Sequence, residues 1–232
     1  MNIIVLNDLP DKRRRPDSFL QEQEINDNQF SAPKHQPGSE YTQISGTRYT
    51  YGKVINKLFS LKSDIRSILD YGAGKGLGTK EMQDIVFNKL HKDVSIESLE
   101  LYPIKWKPDY TNSSQITKRF DAIVCIYVLN VLVKDIRNDV VSDVIRLLNS
   151  GGLAVFIVRS VGSVASIKSG SRGEESASYY HYVGKDKSVQ VYQKGFTRRE
   201  LVEYLDSFDG ISLIDNAKSG GLGNVCVIIK KN

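Results

Sequence analysis

The sequence predicts an α/β fold, a mostly parallel sheet with helices on both faces. Three observations carry that expectation. The run Phe120 to Leu132 is almost unbroken in its apolar character, as strands covered on both faces are. Ile65 to Asp70 reads as a shorter strand whose end, Ile68-Leu69-Asp70, is buried, and behind it stand four glycines at alternate positions, Gly72, Gly74, Gly76 and Gly78. Stretches with helical spacing separate these runs, which is the order that builds a parallel sheet.

The chain has 232 residues, of which 40% are hydrophobic and 25% charged. That suffices for one large α/β domain with extensions and a real core. Lys and Arg total 32 against 27 Asp and Glu, a formal net charge of +5, and the pI is about 9.0. This mild bias is compatible with an anionic partner such as nucleic acid, and a soluble basic surface accounts for it equally well. No apolar run approaches the length of a membrane span. Ile3 to Leu6 is short and has no basic segment before it, so no signal peptide and a cytoplasmic location are expected. Cys125 and Cys226 both lie inside apolar runs and read as core thiols. No Cys/His spacing suggests a metal site.

Residues 1–46 read as a partly flexible N-terminal extension, because Gln21 to Gln36 is polar and without periodicity. Its cluster Lys12-Arg13-Arg14-Arg15 is a solvated charge run, with contact to phosphates as the alternative. The folded domain is expected over 47–232. Val54, Ile55, Leu58, Phe59 and Leu61 recur at helical spacing and predict a helix over about Thr50 to Leu61. Arg48, Tyr49 and Tyr51 at its start are candidate lid residues. The first strand, Ile65 to Asp70, runs into the glycines, and a helix follows to about Leu90. Val94, Ile96 and Leu99 mark a second strand with Glu100 at its end; Glu97 takes that place if the strand stops earlier. Trp106 to Thr111 is expected as a short third strand, and Phe120 to Leu132 as the fourth.

A helix over Ile136 to Leu148 leads to the turn Asn149-Ser150-Gly151-Gly152 and a fifth strand, Leu153 to Val158. The stretch 160–184 is rich in Ser and Gly and long for an idle connection, so it reads as a mobile insertion loop. Val189 to Tyr192 is a short strand. Thr197 and Glu200 have capping-box spacing for the helix Arg198 to Leu205. Ile211 to Asp215 and Asn224 to Ile229 are two last strands.

A glycine turn between a buried strand and a helix lets a ligand approach the backbone and meet the unpaired N–H groups of the helix start. A dinucleotide loop of the form G-x-G-x-x-G would place its third glycine at position 77, which is Leu77. The pattern present is G-x-G-x-G after Leu69-Asp70, and it resembles the first motif of class I S-adenosylmethionine-dependent methyltransferases. The order of elements from Thr47 to Lys231 resembles the same fold. Ile68 to Gly74, Tyr127 to Val131 and Tyr192 to Thr197 are similar to segments of small phage and bacterial methyltransferases, including ones associated with DNA phosphorothioation.

The resemblance implies a Rossmann-like, seven-stranded, mostly parallel sheet with an antiparallel last strand, and S-adenosyl-L-methionine as cofactor. It places Gly72, Ala73 and Gly74 under the methionine and ribose. It has Asp70, followed by Tyr71, ordering the loop or reaching the methionine amine. It puts Glu100 on the ribose diol, Leu101 beside the adenine, Thr111 or Asn112 at the adenine edge, and Tyr127 to Asn130 beside the sulfonium. In that group a proline follows soon after the acidic residue; here it is Pro103, with Leu101 and Tyr102 between it and Glu100.

The methyl acceptor is less marked. Base-amino methylation uses Asn or Asp followed by Pro-Pro and an aromatic, whereas this chain has Tyr127-Val128-Leu129-Asn130. Base C5 methylation needs a cysteine nucleophile beside proline, and Cys125 has none. Displacement at a sulfonium needs alignment and sometimes a base. Asn130, Arg159, Tyr192 and Lys194 at the strand tips are the candidates for this work, with His91 and His181 as weaker bases. Two readings follow: a methyltransferase of unassigned acceptor, with phage or bacterial nucleic-acid modification as one setting, and a partner subunit that binds S-adenosylmethionine or S-adenosylhomocysteine without transfer. A nucleotide-dependent oxidoreductase is disfavoured by Leu77.

Overall fold

The computed structural model describes residues 47–165, 171–183, 189–214 and 225–232. The expected extension at 1–46 lies outside them. Helix α1 (Thr47–Leu61) turns Tyr51, Val54, Ile55 and Leu58 inward at helical spacing. Strand β1 (Ser67–Tyr71) follows, then α2 (Leu77–Asn88), which buries Met82, Ile85 and Val86. The chain continues through β2 (Ser95–Leu99), β3 (Phe120–Ile126), α3 (Lys134–Leu147) and β4 (Leu148–Val158). After these come a short α4 (Val161–Ala165), β5 (Ser171–Arg172), β6 (Ser178–Val183), β7 (Val189–Lys194), α5 (Arg198–Asp206), β8 (Ile211–Leu213) and β9 (Val225–Lys231).

The main sheet has the order β2-β1-β3-β4-β9-β8. The pairs β1/β2, β1/β3 and β3/β4 are parallel. Strand β9 is antiparallel to both of its neighbours, β4 and β8. Alternation along each strand feeds two cores. Leu69, Ile123, Cys125, Ala154 and Phe156 face α3 and α5; Ile68, Ala122, Val124, Val155 and Ile157 face α1 and α2. Each Leu, Ile, Val or Phe among them contributes about 1.5–3 kcal/mol when fully buried, and both faces of the central strands are covered, as the apolar run at 120–132 implies.

Several elements depart from the sequence expectations. Among the described residues the main sheet has six strands rather than seven, because Trp106 to Thr111 is not a strand. Only an isolated bridge joins Tyr110 to Leu99. Pro103 precedes the segment and Pro108 lies within it, and neither has an N–H to give to a ladder; Lys105 sits at φ 61. Strand β3 stops at Ile126 instead of Leu132: Tyr127 takes φ 59 and a single 3₁₀ turn, Leu129–Val131, follows. Strand β4 begins at Leu148, directly after α3. The expected turn Asn149 to Gly152 is a bulge inside it, with Phe120 opposite Leu148 and Ala122 opposite Leu153.

The stretch expected as an insertion loop contains α4, β5 and β6. Strand β6 pairs antiparallel with β7 and β5, forming a separate three-stranded sheet. Serine and glycine content hid this, because the pairing partner lies beyond the segment itself. The helix at 198 is as its sequence predicts: the Thr197 hydroxyl accepts from the Glu200 N–H at 3.1 Å and the Glu200 carboxylate accepts from the Thr197 N–H. Both cysteines are buried free thiols, and burial pushes Cys226 up to about 12.

Candidate functional site

The tip of β1 carries the glycine turn. Gly72, Gly74 and Gly76 have φ of 75, 60 and 72, a left-handed region that only glycine adopts without strain. The N–H groups of Gly72 and Ala73 both donate to the Leu99 carbonyl, at 2.8 and 3.0 Å, which ties the turn to the end of β2. Three protein side chains fill the space these glycines leave. A Cβ on Gly72 would stand 2.4 Å from Val128 Cγ2, one on Gly76 would stand 2.8 Å from the Trp106 ring, and one on Gly78 would stand 2.2 Å from the Tyr51 ring. The alternating glycines therefore admit an aliphatic and two aromatic side chains against the backbone.

Asp70 is fully buried under this turn. Its Oδ1 accepts from the Tyr51 hydroxyl at 3.0 Å and its Oδ2 from the Thr79 hydroxyl at 2.7 Å. Asp70 thus joins α1, β1 and the start of α2. Burial raises its pKa to about 7, against the opposing effect of the two hydroxyl donors. The Tyr51 hydroxyl is raised in turn, by burial and by the carboxylate beside it.

Glu100 is the first residue past β2, half-buried beside the glycine turn. Its Oε2 accepts from the Gly74 N–H at 2.7 Å and its Oε1 from the Tyr102 N–H at 3.1 Å. The indole of Trp106 closes the circuit by donating to the Gly74 carbonyl at 2.6 Å. The alternative carboxylate, Glu97, is engaged elsewhere, with Tyr110 at 2.7 Å, Ser95 at 2.8 Å and an ion pair to Lys118. Burial raises Glu97, but these donors outweigh it and hold the carboxyl below its ordinary range.

Other residues expected near the cofactor lie close by without all pointing to it. The Tyr71 side chain is buried and donates to Asp143 of α3 at 3.0 Å, so only its backbone borders the turn. Leu101 packs against the core on the α3 side. The Thr111 N–H donates to the Gln115 side chain at 3.0 Å, within the small capped turn that starts at Asn112. Tyr127 is more than one-third exposed and stands at the tip of β3, next to Val128, the residue that fills the gap over Gly72.

The structure brings the acceptor-side candidates to one region but gives them different work. Asn130 is buried; its Nδ2 donates to Gln193 Oε1 on β7 at 3.0 Å, and its Oδ1 has no partner among the described residues. The Arg159 carbonyl accepts from the Phe196 N–H at 2.9 Å where β4 ends. Tyr192 and Lys194, expected to align the acceptor from the strand tips, are both buried. The Tyr192 hydroxyl bonds Glu175, and Glu175 pairs with Arg137 of α3. Lys194 Nζ donates to the Ser176 carbonyl at 2.7 Å and pairs with Glu200 at 2.7 Å. Burial raises Glu175, yet hydrogen bonds from Arg137 and Tyr192 more than reverse it and leave the carboxyl lowered. Burial and Glu175 push Tyr192 up to about 12. This network clamps the three-stranded sheet onto α3 and α5. His91, at φ 49, is exposed after α2.

Among the described residues, no group of three or more His, Cys, Asp or Glu is placed to hold a metal ion, and no helix is long and apolar enough to cross a membrane. Sequence reasoning named Tyr51 but not its bond to Asp70, and it missed Trp106, Gln193, Arg137 and Glu175 as parts of the site and its support. Trp106 carried a signal of its own, a lone tryptophan six residues after the strand-end carboxylate. Glu175 and Arg137 carried none, since their pairing spans 38 positions.

Solved structures of S-adenosylmethionine-dependent methyltransferases are similar in fold. The sugar N-methyltransferase KedS8 from Streptoalloteichus is similar at a TM-score of 0.55 and 14% identity, over 81% of this chain and 89% of that one. The Burkholderia thailandensis 1,6-didemethyltoxoflavin-N1-methyltransferase, crystallised with 1,6-didemethyltoxoflavin and S-adenosylhomocysteine, gives 0.54 and 17% identity over 80% and 79%. The CcbJ methyltransferase from Streptomyces caelestis gives 0.55 and 14% identity over 84% and 99%. At these identities the likeness is one of fold: the chain has the α/β Rossmann-like methyltransferase fold, with a mostly parallel sheet and antiparallel pairing at its C-terminal end. No protein-family model matches the sequence, and no curated protein does.

Proposed function

We propose that the protein is an S-adenosyl-L-methionine-dependent methyltransferase. The observation that carries this reading is the half-buried Glu100 carboxylate at the tip of β2, held 2.7 Å from the Gly74 N–H of a left-handed glycine turn at the tip of the adjacent β1. In open α/β sheets ligands lie outside the carboxyl ends of the strands, and a carboxylate there suits a vicinal diol through charge-assisted hydrogen bonds. The residues fit the cofactor. Glu100 would hold the ribose, the turn Gly72 to Gly74 would lie against the ribose and methionine, and Leu101 and Thr111 would border the adenine. Asp70 orders the turn from beneath through Tyr51 and Thr79.

The cofactor, when bound, supplies a methyl group on a positively charged sulfur, open to direct displacement. The chain's own task is then alignment of the acceptor. Tyr127 and Asn130 stand on the turn that touches the glycine loop, and Asn130 offers a buried amide oxygen fixed by its partner Gln193. Arg159 stands at the neighbouring strand end. Tyr192 and Lys194 act on this region as supports rather than as contacts. The acceptor reaches the site from the side of the three-stranded sheet; nucleic acid belongs in the test panel because of the sequence resemblance, and small-molecule amines because the proteins of similar fold include N-methyltransferases of such compounds. The burial of Tyr192 and Lys194 favours one further reading, a subunit that binds the cofactor without transfer.

Isothermal titration with S-adenosylmethionine, S-adenosylhomocysteine, NAD and NADP tests the core of the proposal. Binding of the first two and neither of the others is expected; no binding of S-adenosylhomocysteine refutes it. Transfer of tritiated methyl to DNA, RNA or pooled amines then separates the enzyme from the binding subunit.

A further inference from the structure

Trp106 is the sole tryptophan of the chain, and the sequence suggests no task for it beyond a strand that the fold does not contain. It lies on the irregular segment after Glu100, partly buried, with its ring over Gly76 and its indole N–H donating to the Gly74 carbonyl at 2.6 Å. Gly74 in turn donates its own N–H to Glu100. The two peptide units that flank Gly74 are therefore each held, the preceding one by the carboxylate and the following one by the indole. The Tyr102 N–H, donating to the other carboxylate oxygen, folds the chain back between them.

We propose that Trp106 is a positioning residue for the adenosyl half of the cofactor: it locks Gly74 in its left-handed conformation and, through Gly74, fixes the direction in which the Glu100 carboxylate faces the ribose. This rests on the functional reading above. The physical argument is one of preorganisation. A glycine turn explores many conformations at little cost, so a loop built of glycines binds well only when something outside it removes that freedom before the ligand arrives. The strand-end bonds to Leu99 fix Gly72 and Ala73. Asp70 and Tyr51 fix the helix start, through Thr79 and the contact over Gly78. Gly74 lies between these two anchors, and the side chains that hold it are Trp106 and Glu100. The ring also leaves no room for a side chain at position 76, where a Cβ would stand 2.8–3.1 Å from the indole carbons.

The test is a double-mutant cycle on the full chain, read by calorimetry with S-adenosylhomocysteine. Trp106→Phe keeps an aromatic side chain and removes the indole N–H. It should weaken binding about fivefold to tenfold, the scale of one lost hydrogen bond, with far-UV circular dichroism unchanged. In a Glu100→Gln background the same substitution should cost less than about twofold, because its effect passes through Glu100. A merely structural role for Trp106 would lower the melting temperature and leave the coupling near zero. A second measurement needs no variant: the indole emission of the native protein should shift on titration with S-adenosylhomocysteine, with the midpoint given by calorimetry. If the native protein binds and Trp106→Phe binds equally well, the inference falls while the functional reading stands. Fully additive effects, or an emission spectrum that saturating ligand leaves unchanged, overturn it in the same way. If the native protein does not bind at all, both fall.

Discussion

Asp70 should make the protein less stable as the solution becomes less acidic, the reverse of the usual carboxylate. Its ordinary value is 3.8; burial in the folded state raises it to about 7, and the hydroxyls of Tyr51 and Thr79 only partly offset that. Between these two values the folded chain holds a proton on Asp70 that the unfolded chain has released. Stability therefore falls as pH rises through this window, and levels off above about 7. At about 1.4 kcal/mol per pH unit, the full change is about 4 kcal/mol, without the discount for solvent screening that an exposed group would need, since Asp70 is 0% exposed. Urea denaturation of the native protein and of Asp70→Asn, at half-unit steps from pH 4.5 to 8, isolates the effect. Asparagine is neutral at every pH, so the variant carries no such dependence, and the different hydrogen bonding of its amide adds only a constant offset. All other titrating groups cancel in the difference between the two curves. That difference should shrink by several kcal/mol toward pH 8. A flat difference would mean that Asp70 ionises in the fold as it does in the unfolded chain, its two hydroxyl donors fully offsetting burial.

Two further substitutions probe the turn and its support. Gly74→Val puts a β-branched residue at φ 60, a strain of about 1–3 kcal/mol; S-adenosylhomocysteine affinity should drop at least tenfold by calorimetry while circular dichroism shows a folded protein, and undiminished affinity would remove the glycine turn from the binding site. Glu175→Gln leaves the Arg137 guanidinium buried without its anion. Losing a buried partner costs about 3–5 kcal/mol, reduced here toward about 2 because the Glu175 side chain is 26% exposed; urea denaturation showing a loss under about 0.5 kcal/mol would mean that the clamp on the three-stranded sheet lies elsewhere.

The two halves of the site differ in how far the sequence reveals them, and the reason is the range over which each is encoded. The cofactor side is built from strand tips. A strand tip is legible because the apolar run before it and the helical spacing after it are local patterns, so Asp70, the glycines and Glu100 stand out within a few residues of each boundary. Even there the glycines could be misjudged. Their spacing reads as room for a ligand, yet at Gly72, Gly76 and Gly78 the room is taken by Val128, Trp106 and Tyr51, none of which is near in sequence. The acceptor side is built from pairings that no window contains. Tyr192 and Lys194 look like reactive groups at the end of a strand, and only the contacts of Tyr192 with Glu175, Glu175 with Arg137 and Lys194 with Glu200 show that their polar atoms are spent on holding one sheet against two helices. The same logic explains the missing seventh strand: Trp106 to Thr111 has strand composition, but Pro108 interrupts the ladder and Trp106 has turned to the glycine turn instead. A side chain that a local reading assigns to chemistry is thus one whose long-range partners are unseen. Asn130, with a buried amide oxygen still lacking a partner among the described residues, is the acceptor-side candidate whose burial the folded protein leaves unexplained, and it is the residue around which an acceptor should be sought first.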